Sequence, residues 1–549
     1  MSSVMASMFL VALDQTIIAT ALGRIVEEFN AFDSLSWIVT AYLLTTTITV
    51  PIAGKMSDLF GRRILLLIGV AVFVVGSLFS GTAATVDQLI LWRAIQGIGG
   101  GIITANAFTI IGDLFSARER GRWQGFIGAV FGLSSVVGPL LGGWLTDPHL
   151  IAGFTTSWRW TFWINVPIGI LAFIAIAIFC PSLKHAGKPS IDYKGATLLT
   201  IALGIFVLAI DNTEQIFKGL LDSTGLSLVG LRVIMYAIVA AATLGFVYVE
   251  RRAKQPILPL SFFKNRNYVL ITGTMTFFGA AFLGSILYLT QFNQQVFGAT
   301  PTESGLMLLP MIAGIMTSSI TSGQVIAKTG RYKIFMQVGI VVATVMIFML
   351  TTLNPNTPYI YEAVIMVLLG LGLGVVMPVM TLAVQNEFDI HELGAATSSS
   401  QLFRSLGSTI GIAVFGALLT SGLNSHLNNM QDNAYLTTLK KSPAASQIGD
   451  FNDSNTLLNL NMPDIKQKIT TGFESGIEKS PLPQKAKDAT KKQFLEDQSA
   501  YTDKVVNAFS GSLNRIFIVS TIAMAIAAAL VFSLKERKLK TASPTDMPD

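Results

Sequence analysis

The most constraining feature of this chain is a series of fourteen apolar segments, each close to the length that crosses a lipid bilayer. A spanning α-helix needs roughly 20 mostly apolar residues. Its backbone amides must pair within the helix, because hydrocarbon offers them no other partner. The segments are predicted at residues 4–23, 36–54, 64–84, 88–112, 123–145, 160–180, 194–212, 229–249, 268–291, 303–327, 334–353, 359–384, 396–421 and 513–533. They do not alternate polar and apolar side chains as membrane β-strands do, so the chain is predicted to be an all-α polytopic membrane protein.

The composition agrees with a membrane protein. Only 13% of the 549 residues are charged and 51% are hydrophobic, whereas soluble domains carry about 25% charged residues. The single cysteine, Cys180, can form no internal disulfide, and the four histidines (His149, His185, His391 and His426) make no cluster in the sequence. We therefore predict no metal site and no cofactor.

The distribution of basic residues predicts the orientation in the membrane. With the N-terminus in the cytoplasm, the cytoplasmic connections and the C-terminal tail hold 21 Lys and Arg residues, and the short outer loops hold three. Such an excess is general on the cytoplasmic side of membrane proteins, so both termini are predicted to be cytoplasmic. The formal net charge of +6 follows from this topology and requires no nucleic-acid partner.

The order of the segments predicts six helices, then two, then six. The predicted units are an N-terminal bundle at 1–182, a two-helix insertion at 183–266, the first five helices of a C-terminal bundle at 267–421, the last spanning helix at 513–535 and a cytoplasmic tail at 536–549. Residues 422–512 are polar and are predicted to form a partly helical extracytoplasmic hairpin or cap, although an insertion without function fits equally well. Similar Gly-then-basic turns at 54–63 and 323–333 indicate related halves, as in transporters built from repeats.

Two ionisable residues lie deep inside predicted spans. Asp14 is near the middle of the first segment, and Arg93 lies in the outer third of the fourth, close to Gln96. Ionisable side chains at membrane depth are costly and usually face a polar cavity or a partner. We therefore predict that Asp14 is a proton or cation site and that Arg93 is a switch partner for a carboxylate. The alternatives are a structural carboxylate at Asp14 and an arginine that reaches for the interface at Arg93.

A Gly-x-x-x-Asp-x-x-Gly-Arg-Arg pattern follows the second segment. Its glycines suit tight packing at a short inner loop, and its acid could cap the N-terminus of another helix. Its arginines could pair with an acid at the inner end of the fourth segment, forming a latch that breaks when a transporter opens inward. The alternative is that the arginines only contribute to the excess of basic residues on the cytoplasmic side. The residues of this predicted inner gate are Gly54, Asp58, Gly61, Arg62, Arg63 and Asp113.

The fifth segment combines two Gly-x-x-x-Gly pairs with a Gly-Pro step. Small residues let membrane helices approach closely, and proline removes a backbone donor and bends a helix. A bent, glycine-faced helix is therefore predicted at an interface between the two bundles. The residues of this pattern are Gly128, Gly132, Gly138, Pro139, Gly142 and Gly143.

These segments resemble the motifs of the major facilitator superfamily, and of its fourteen-helix drug:proton antiporter family. The resemblance rests on LDQTIIATAL in the first segment, GKMSDLFGRR in the inner loop, LWRAIQGIGGG in the fourth segment and GLSSVVGPLLGG in the fifth. It extends to WRWTFWINVPIG, DYKGATLL and YLTQFNQQVFGATPTESGLMLLP, and so covers nearly the whole chain.

The resemblance implies a major facilitator fold with 14 transmembrane helices (6 + 2 + 6). It implies that Asp14 handles a proton or a cationic substrate and that Arg93 couples the proton. Asp58 would face the start of the thirteenth helix near Gly394, in a gate shared with Arg62 and Arg63. The antiporter helix would be shaped by Gly132, Gly138, Pro139, Gly142 and Gly143.

Aromatic side chains could line a substrate cavity and bind a flat apolar cation by burial and cation–π contact. The alternative for each is packing, or a position facing lipid. No second acid is predicted at mid-membrane depth, since Asp211 and Glu362 both fall near outer ends. The cavity candidates are Asp14, Trp37, Tyr42, Trp92, Gln96, Phe108, Phe278, Tyr288 and Phe292.

The sequence therefore predicts a proton-coupled antiporter that exports hydrophobic, cationic drugs across the plasma membrane by alternating access. Its predicted partners are a small-molecule substrate, protons and the lipid bilayer, and it is predicted to be a monomer. No phosphate loop, metal-ligand set or nucleophile–base pattern in the sequence indicates an enzyme. Two alternatives remain open: a dedicated exporter of one metabolite, siderophore or antibiotic, and a membrane sensor or scaffold that does not transport.

Overall fold

In the computed structural model, the chain is a bundle of long α-helices. The structure describes residues 1–29, 35–146, 149–151, 153–181, 192–210, 213–299, 301–389, 392–427, 433–441, 451 and 454–539. The helices are α1 Ser2–Phe29, α2 Leu35–Phe60, α3 Arg62–Gly81, α4 Val86–Leu114, α5 Ala117–Thr146, α6 Trp160–Trp163, α7 Asn165–Phe179, α8 Tyr193–Ile210, α9 Thr213–Ile216, α10 Lys218–Thr224, α11 Leu228–Glu250, α12 Arg266–Gln295, α13 Pro301–Met307, α14 Leu309–Thr329, α15 Lys333–Leu350, α16 Tyr359–Glu387, α17 Leu393–Leu427, α18 Ala434–Lys440, α19 Ser454–Asn459, α20 Pro463–Glu478 and α21 Gln484–Phe532. A 3-10 turn at Leu260–Lys264 precedes α12, and two short antiparallel strands, β1 Leu150–Ile151 and β2 Phe154–Thr155, follow α5.

Some predictions concern positions that the structure does not describe. Asp211, His185 and His391 lie outside the described residues. So do the boundary predicted at 182–183 and the end of the tail from residue 540 onwards.

The helices account for the fourteen predicted spans. Thirteen helices in the described part of the chain are long and apolar enough to cross a membrane, and α1 is apolar over Ser2–Ile18. The sixth and tenth spans each consist of two consecutive helices, α6–α7 and α13–α14. These breaks fall just before Pro167 and Pro310, whose rings cannot donate the backbone hydrogen bond that would continue the preceding turn.

The last spanning helix begins much earlier than the predicted residue 513. Helix α21 has 49 residues and begins at Gln484, so at about 1.5 Å per residue it is roughly 74 Å long. The hydrocarbon core is only about 30 Å thick, so the first half of α21 projects beyond the membrane. The sequence there is rich in Lys, Ala and Gln, which favour helix, and nothing in it interrupts the helix.

The polar segment between the last two spans forms a small helical domain, made of α18, α19, α20 and the first half of α21. Phe473 of α20 stacks on Phe494 of α21 with ring centroids 3.8 Å apart. Asn461 donates a hydrogen bond from Nδ2 to Gln295 Oε1, 2.9 Å away, on the end of α12. The described residues of this segment are therefore largely helical and contact a spanning helix, and their placement outside the cytoplasm stays a prediction.

The spanning helices pack in two groups. In the first group α4 packs on α2 and α3, and α1 packs on α5. In the second group α16 packs on α14 and α15, and α12 packs on α17 and α21. The groups meet where α5 lies along α14 and where α2 lies against α17, while α8 and α11 pack on each other beside α2. The residue boundaries of the 6 + 2 + 6 division stay predictions.

Candidate functional site

A fully buried polar network surrounds Asp14 in the first group of helices. Arg93 Nη1 lies 2.7 Å from Asp14 Oδ2, and both side chains are 1% exposed. Gln96 Nε2 and Asn165 Nδ2 donate to the other carboxylate oxygen, at 2.8 and 2.9 Å. Both amides also donate to Ser77 Oγ, at 3.2 and 3.0 Å. These five residues, here called the Asp14 network, join helices α1, α3, α4 and α7.

The guanidinium of Arg93 has further partners that hold it in place. Nη1 also donates to Gln96 Oε1 at 2.7 Å, and Nε donates to the carbonyl oxygen of Ile38 at 3.4 Å. The ring of Tyr42 lies under the guanidinium, 4.3 Å from ring centroid to Cζ, and the ring of Phe162 lies 5.7 Å away. A buried ion pair offsets its desolvation only when such additional contacts satisfy it. In this conformation Asp14 is closed to solvent and neutralised by Arg93.

The structure brings four of the predicted site residues together: Asp14, Arg93, Gln96 and Tyr42. Sequence reasoning missed Ser77 and Asn165. Asn165 could have been found, because it is a lone amide at the start of an apolar run and the argument from membrane depth applies to it. Ser77 gave no such signal, since serine in a membrane helix commonly bonds to its own backbone.

Four aromatic candidates do not join Asp14. Trp92 stacks on Phe79 at 4.5 Å, and Phe79 is 41% exposed on the outer face of α3. Phe278, Tyr288 and Phe292 lie on α12 in the hydrophobic core of the second group. The prediction that these four line one cavity with Asp14 is therefore not met in this conformation, because their rings pack against other aromatic rings, those of Phe79, Phe282, Phe415 and Phe297.

The remaining two aromatic candidates lie in the first group. Phe108 is 2% exposed and belongs to the core formed around α4. Trp37 is half-buried near the start of α2. Phe108 contributes its backbone carbonyl to the contact between the groups, as described below, rather than a ring surface to a cavity.

The predicted inner-gate motif forms a second buried network. Arg62 lies between two carboxylates: Nε is 2.6 Å from Asp113 Oδ2, and Nη2 contacts Asp58 Oδ1. Arg62 Nη1 donates to Ser57 Oγ. The other oxygen of Asp58 accepts a hydrogen bond of 3.1 Å from the backbone N of Ala395, at the start of α17. These five residues, here called the gate network, join the two groups of helices, with Asp58 capping another helix.

Arg63 does not share in the gate network, contrary to the prediction that it pairs with Asp113. Its guanidinium donates instead to the carbonyl oxygen of Ala177 on α7. Adjacent residues at the start of a helix point about 100° apart, so only one of the two arginines can face Asp113. Arg62 takes that position and is 1% exposed.

The glycines of the motif allow the close approach of α2 and α17. A Cβ on Gly54 would overlap the side chain of Ser398, and a Cβ on Gly394 would lie 2.7 Å from Arg62 Nη1. Gly61 separates α2 from α3 with φ of +94°, a conformation that favours glycine. The sequence predicted this tight loop from its two glycines.

A second contact between the groups was not predicted. Gln124 Nε2 on α5 donates to Gln385 Oε1 on α16, at 2.8 Å, and both residues are buried. Gln385 Nε2 in turn donates to the carbonyl oxygen of Phe108 on α4, at 3.0 Å. Together with the gate network, this contact closes one end of the molecule.

Helix α4 connects the two networks. Arg93 lies near its beginning and Asp113 near its end, 20 residues further on, which at 1.5 Å per residue separates them by about 30 Å. A rigid helix between them provides a physical link by which movement at the gate network could reach the Asp14 network.

Helix α5 lies between α1 and α14, and its small residues face both. A Cβ on Gly128 would overlap the side chain of Ser319, and one on Gly132 would lie 2.7 Å from Met316 Cγ, both on α14. On the other side, a Cβ on Gly138 would overlap Thr16 Oγ1 and lie 2.7 Å from Thr16 Cβ. Further along α5, Pro139 faces Gly305 of α13, Gly142 is buried and Gly143 is half-buried. Gly128 and Gly132 thus lie at the contact between the two groups, whereas Gly138 lies at the contact between α5 and α1 within the first group.

Gly138→Ala is expected to displace α1 at Thr16, two residues after Asp14. Overpacking costs roughly 1–3 kcal/mol, so we expect a lower unfolding temperature and a several-fold slower export rate. Gly245→Ala is the matched control, because its Cβ would meet atoms no closer than 3.5 Å. Equal rates for the two variants would show that the α1–α5 contact does not matter for transport.

The chain matches a known protein family and several named relatives. The model of the Major Facilitator Superfamily matches residues 4–412. Multidrug transporter protein MdtP of Bacillus subtilis is 36% identical over 479 residues, covering 86% of this chain and 85% of that protein. Multidrug resistance protein 3 of the same species is 32% identical over 535 residues, covering 96% and 93%.

Solved structures agree in fold. The human organic anion transporter MFSD10 (TETRAN) superposes with a TM-score of 0.56 at 16% identity, covering 76% of this chain and 92% of that one. The proton:xylose symporter XylE gives a TM-score of 0.55 at 16% identity, covering 76% and 87%. At this identity the likeness concerns the fold alone.

Proposed function

The chain belongs to the major facilitator superfamily, and on that premise we propose that it exports hydrophobic, cationic small molecules in exchange for protons. Membership of this family makes it a multi-pass membrane transporter rather than an enzyme, a sensor or a scaffold. The two Bacillus relatives named as multidrug proteins support drugs as the substrates.

The observation that supports this proposal best is the buried Asp14 network. A carboxylate at membrane depth requires a positive partner or a proton, and here Arg93 is that partner, 2.7 Å away. A cationic substrate or a proton can each take over the role of Arg93 at the carboxylate. The two therefore compete for one site, which is the requirement for exchange of one against the other.

The gate network supports alternating access. In this conformation Asp58, Arg62 and Asp113 hold α2, α4 and α17 together, and Asp14 has no solvent access. Opening on the cytoplasmic side breaks the gate network and admits substrate to the deprotonated Asp14. Opening on the other side admits a proton, which neutralises Asp14 and releases the cation.

The same proposal includes the membrane, the orientation and the oligomeric state of the transporter. The excess of basic residues on one side supports insertion in the plasma membrane with both termini in the cytoplasm. We propose a monomer, since each of the two networks is completed by residues of one chain.

Ethidium efflux from cells that lack their own pumps is the test. Cells that express the chain should lose ethidium rapidly, and a protonophore should stop that loss, because the proton gradient is the proposed energy source. Cells without the chain provide the baseline. Efflux that continues in the protonophore would contradict proton coupling. The absence of efflux despite surface expression would favour the alternative of a dedicated metabolite exporter.

A further inference from the structure

Glu362, in the first turn of α16, is a carboxyl group buried away from any described cation. Its side chain is 0% exposed. Its partner is the amide of Asn293 on α12, one terminal atom of which lies 3.1 Å from Oε2 and 2.9 Å from Oε1. The sequence placed Glu362 near the end of a span but did not foresee its complete burial.

Three other buried carboxylates among the described residues each have a cationic partner. Asp14 pairs with Arg93 and Asp113 pairs with Arg62. Glu387, at the opposite end of the same helix α16, lies 3.2 Å from an Arg537 nitrogen. Glu250, 3% exposed, also accepts from a neutral group, the backbone N of Ile257 at 3.1 Å. Glu362 thus differs from Asp14, Asp113 and Glu387 in having a neutral partner among the described residues.

The energetics favour the neutral form of Glu362. Burying an ionised carboxylate still costs several kcal/mol after the protein relaxes, whereas hydrogen bonds to a charged group return about 1.5–3 kcal/mol each. A single amide therefore does not offset the cost of burying a full charge, whereas a bound proton removes the charge and with it that cost. We infer that Glu362 holds a proton in this conformation and is a second proton-binding site of the transporter, in the half of the molecule opposite Asp14.

The surroundings of Glu362 fit a group that exchanges protons. Tyr359, one helical turn earlier, is 37% exposed and donates to the carbonyl oxygen of Met307 at 2.9 Å, so the carboxyl group lies about one turn from the surface. Tyr359 is its titratable neighbour on α16. From the packed helices, α12 presents Asn293, and no described charged side chain reaches Glu362 from α5, α14, α15 or α17.

Release of this proton would act on the contact between α12 and α16. Glu362 as a neutral acid becomes a carboxylate plus a proton that passes to water, and the new charge needs hydration. Asn293 lies in the last turn of α12, where Gln295 accepts a hydrogen bond from Asn461 of the small helical domain between the last two spans. Water can reach the charge only if this end of α12 moves from α16. The proton is therefore expected to keep that end closed, and this role in transport rests on the proposed function.

Infrared spectroscopy of the full-length protein in lipid, without substrate, tests the site. The wild type at neutral pH should show the carbonyl band of a protonated carboxylic acid. Glu362→Gln should lose the part of that band that Glu362 contributes. Glu387→Gln, a matched substitution on the same helix, should keep it, because Glu387 has a cationic partner, an Arg537 nitrogen 3.2 Å away. Asp14→Asn should also keep it, because Asp14 has Arg93 as its cationic partner at 2.7 Å.

A second measurement needs no substitution at the site. Protein grown with heavy carbon in the glutamate side-chain carboxyl should show a shifted band, and protein grown with labelled aspartate should not. A band unchanged in Glu362→Gln, or one that shifts with labelled aspartate alone, would overturn the inference. Failure of ethidium efflux with the glutamate band present would contradict the proposed export and leave the proton site standing.

Discussion

Replacing Asp14 by Asn is expected to reduce proton-driven export to background while the protein still reaches the membrane. The substitution removes the group that proton and substrate share. Removing one partner of a buried ion pair costs roughly 3–5 kcal/mol, because Arg93 would remain buried without a counter-charge. The Gln96 and Ile38 oxygens and the Tyr42 ring still contact Arg93, so we expect a destabilised but folded protein. The measurement is pH-driven ethidium efflux together with the unfolding temperature.

Two controls separate stability from transport. The double variant Asp14→Asn/Arg93→Gln removes both charges, so it should recover much of the unfolding temperature without recovering export. Glu28→Gln changes another carboxylate on α1, but this one is 46% exposed and pairs with Arg159 at the surface, where such pairs contribute about 0–1 kcal/mol. It should export at nearly the wild-type rate. Undiminished pH-driven export by Asp14→Asn would remove Asp14 from the mechanism.

Replacing Arg62 by Gln is expected to have the second large effect. Arg62 neutralises both Asp58 and Asp113, so its loss leaves two buried carboxylates without a counter-charge. We expect a loss of roughly 3–5 kcal/mol from the closed conformation and little remaining export. Arg63→Gln is the matched control, because the guanidinium of Arg63 donates to the Ala177 carbonyl oxygen, outside the gate network. This variant should behave almost like the wild type.

Opening of the gate can be measured by thiol labelling. Cys180 is the single cysteine, so a Cys180→Ser background with Ser398→Cys reports on the contact between α2 and α17. Ser398 is 1% exposed opposite Gly54 and should label slowly with a membrane-permeant reagent. Arg62→Gln should raise the labelling rate, and Arg63→Gln should not. The same slow labelling in both variants would mean that Arg62 does not hold the gate closed.

Most of the spans could be predicted from the sequence because hydrocarbon imposes a length and a composition that local sequence must satisfy. The start of α21 could not, since an apolar window detects where a helix enters the membrane but not how far it continues into water. Charged residues support a helix in water as well as apolar ones support it in lipid. The positions of the prolines alone do not predict the breaks before Pro167 and Pro310, because Pro51, Pro139 and Pro378 lie inside unbroken helices.

At the site, too, some residues could be recognised from the sequence, whereas their contacts could not. Asp14 and Arg93 were recognisable because a charge at membrane depth is rare and costly. Their mutual contact was not, because residues 79 positions apart are joined only by the packing of α1 against α4. Nor could the sequence decide which of Arg62 and Arg63 faces Asp113, or that Gln124 reaches Gln385 on the other group of helices.

Glu362 shows most clearly what could not be predicted from the sequence. Its position four residues into α16 is readable from the sequence, but burial depends on which face of the helix is covered, and α12 covers it with Asn293. The sequence by itself determined the apolar spans and the rare charges at depth, since lipid acts on each segment separately, and it predicts their orientation. The tertiary structure alone decided which charges are paired and that Glu362 has the neutral Asn293 as its partner, because those contacts depend on helices that are distant in the chain.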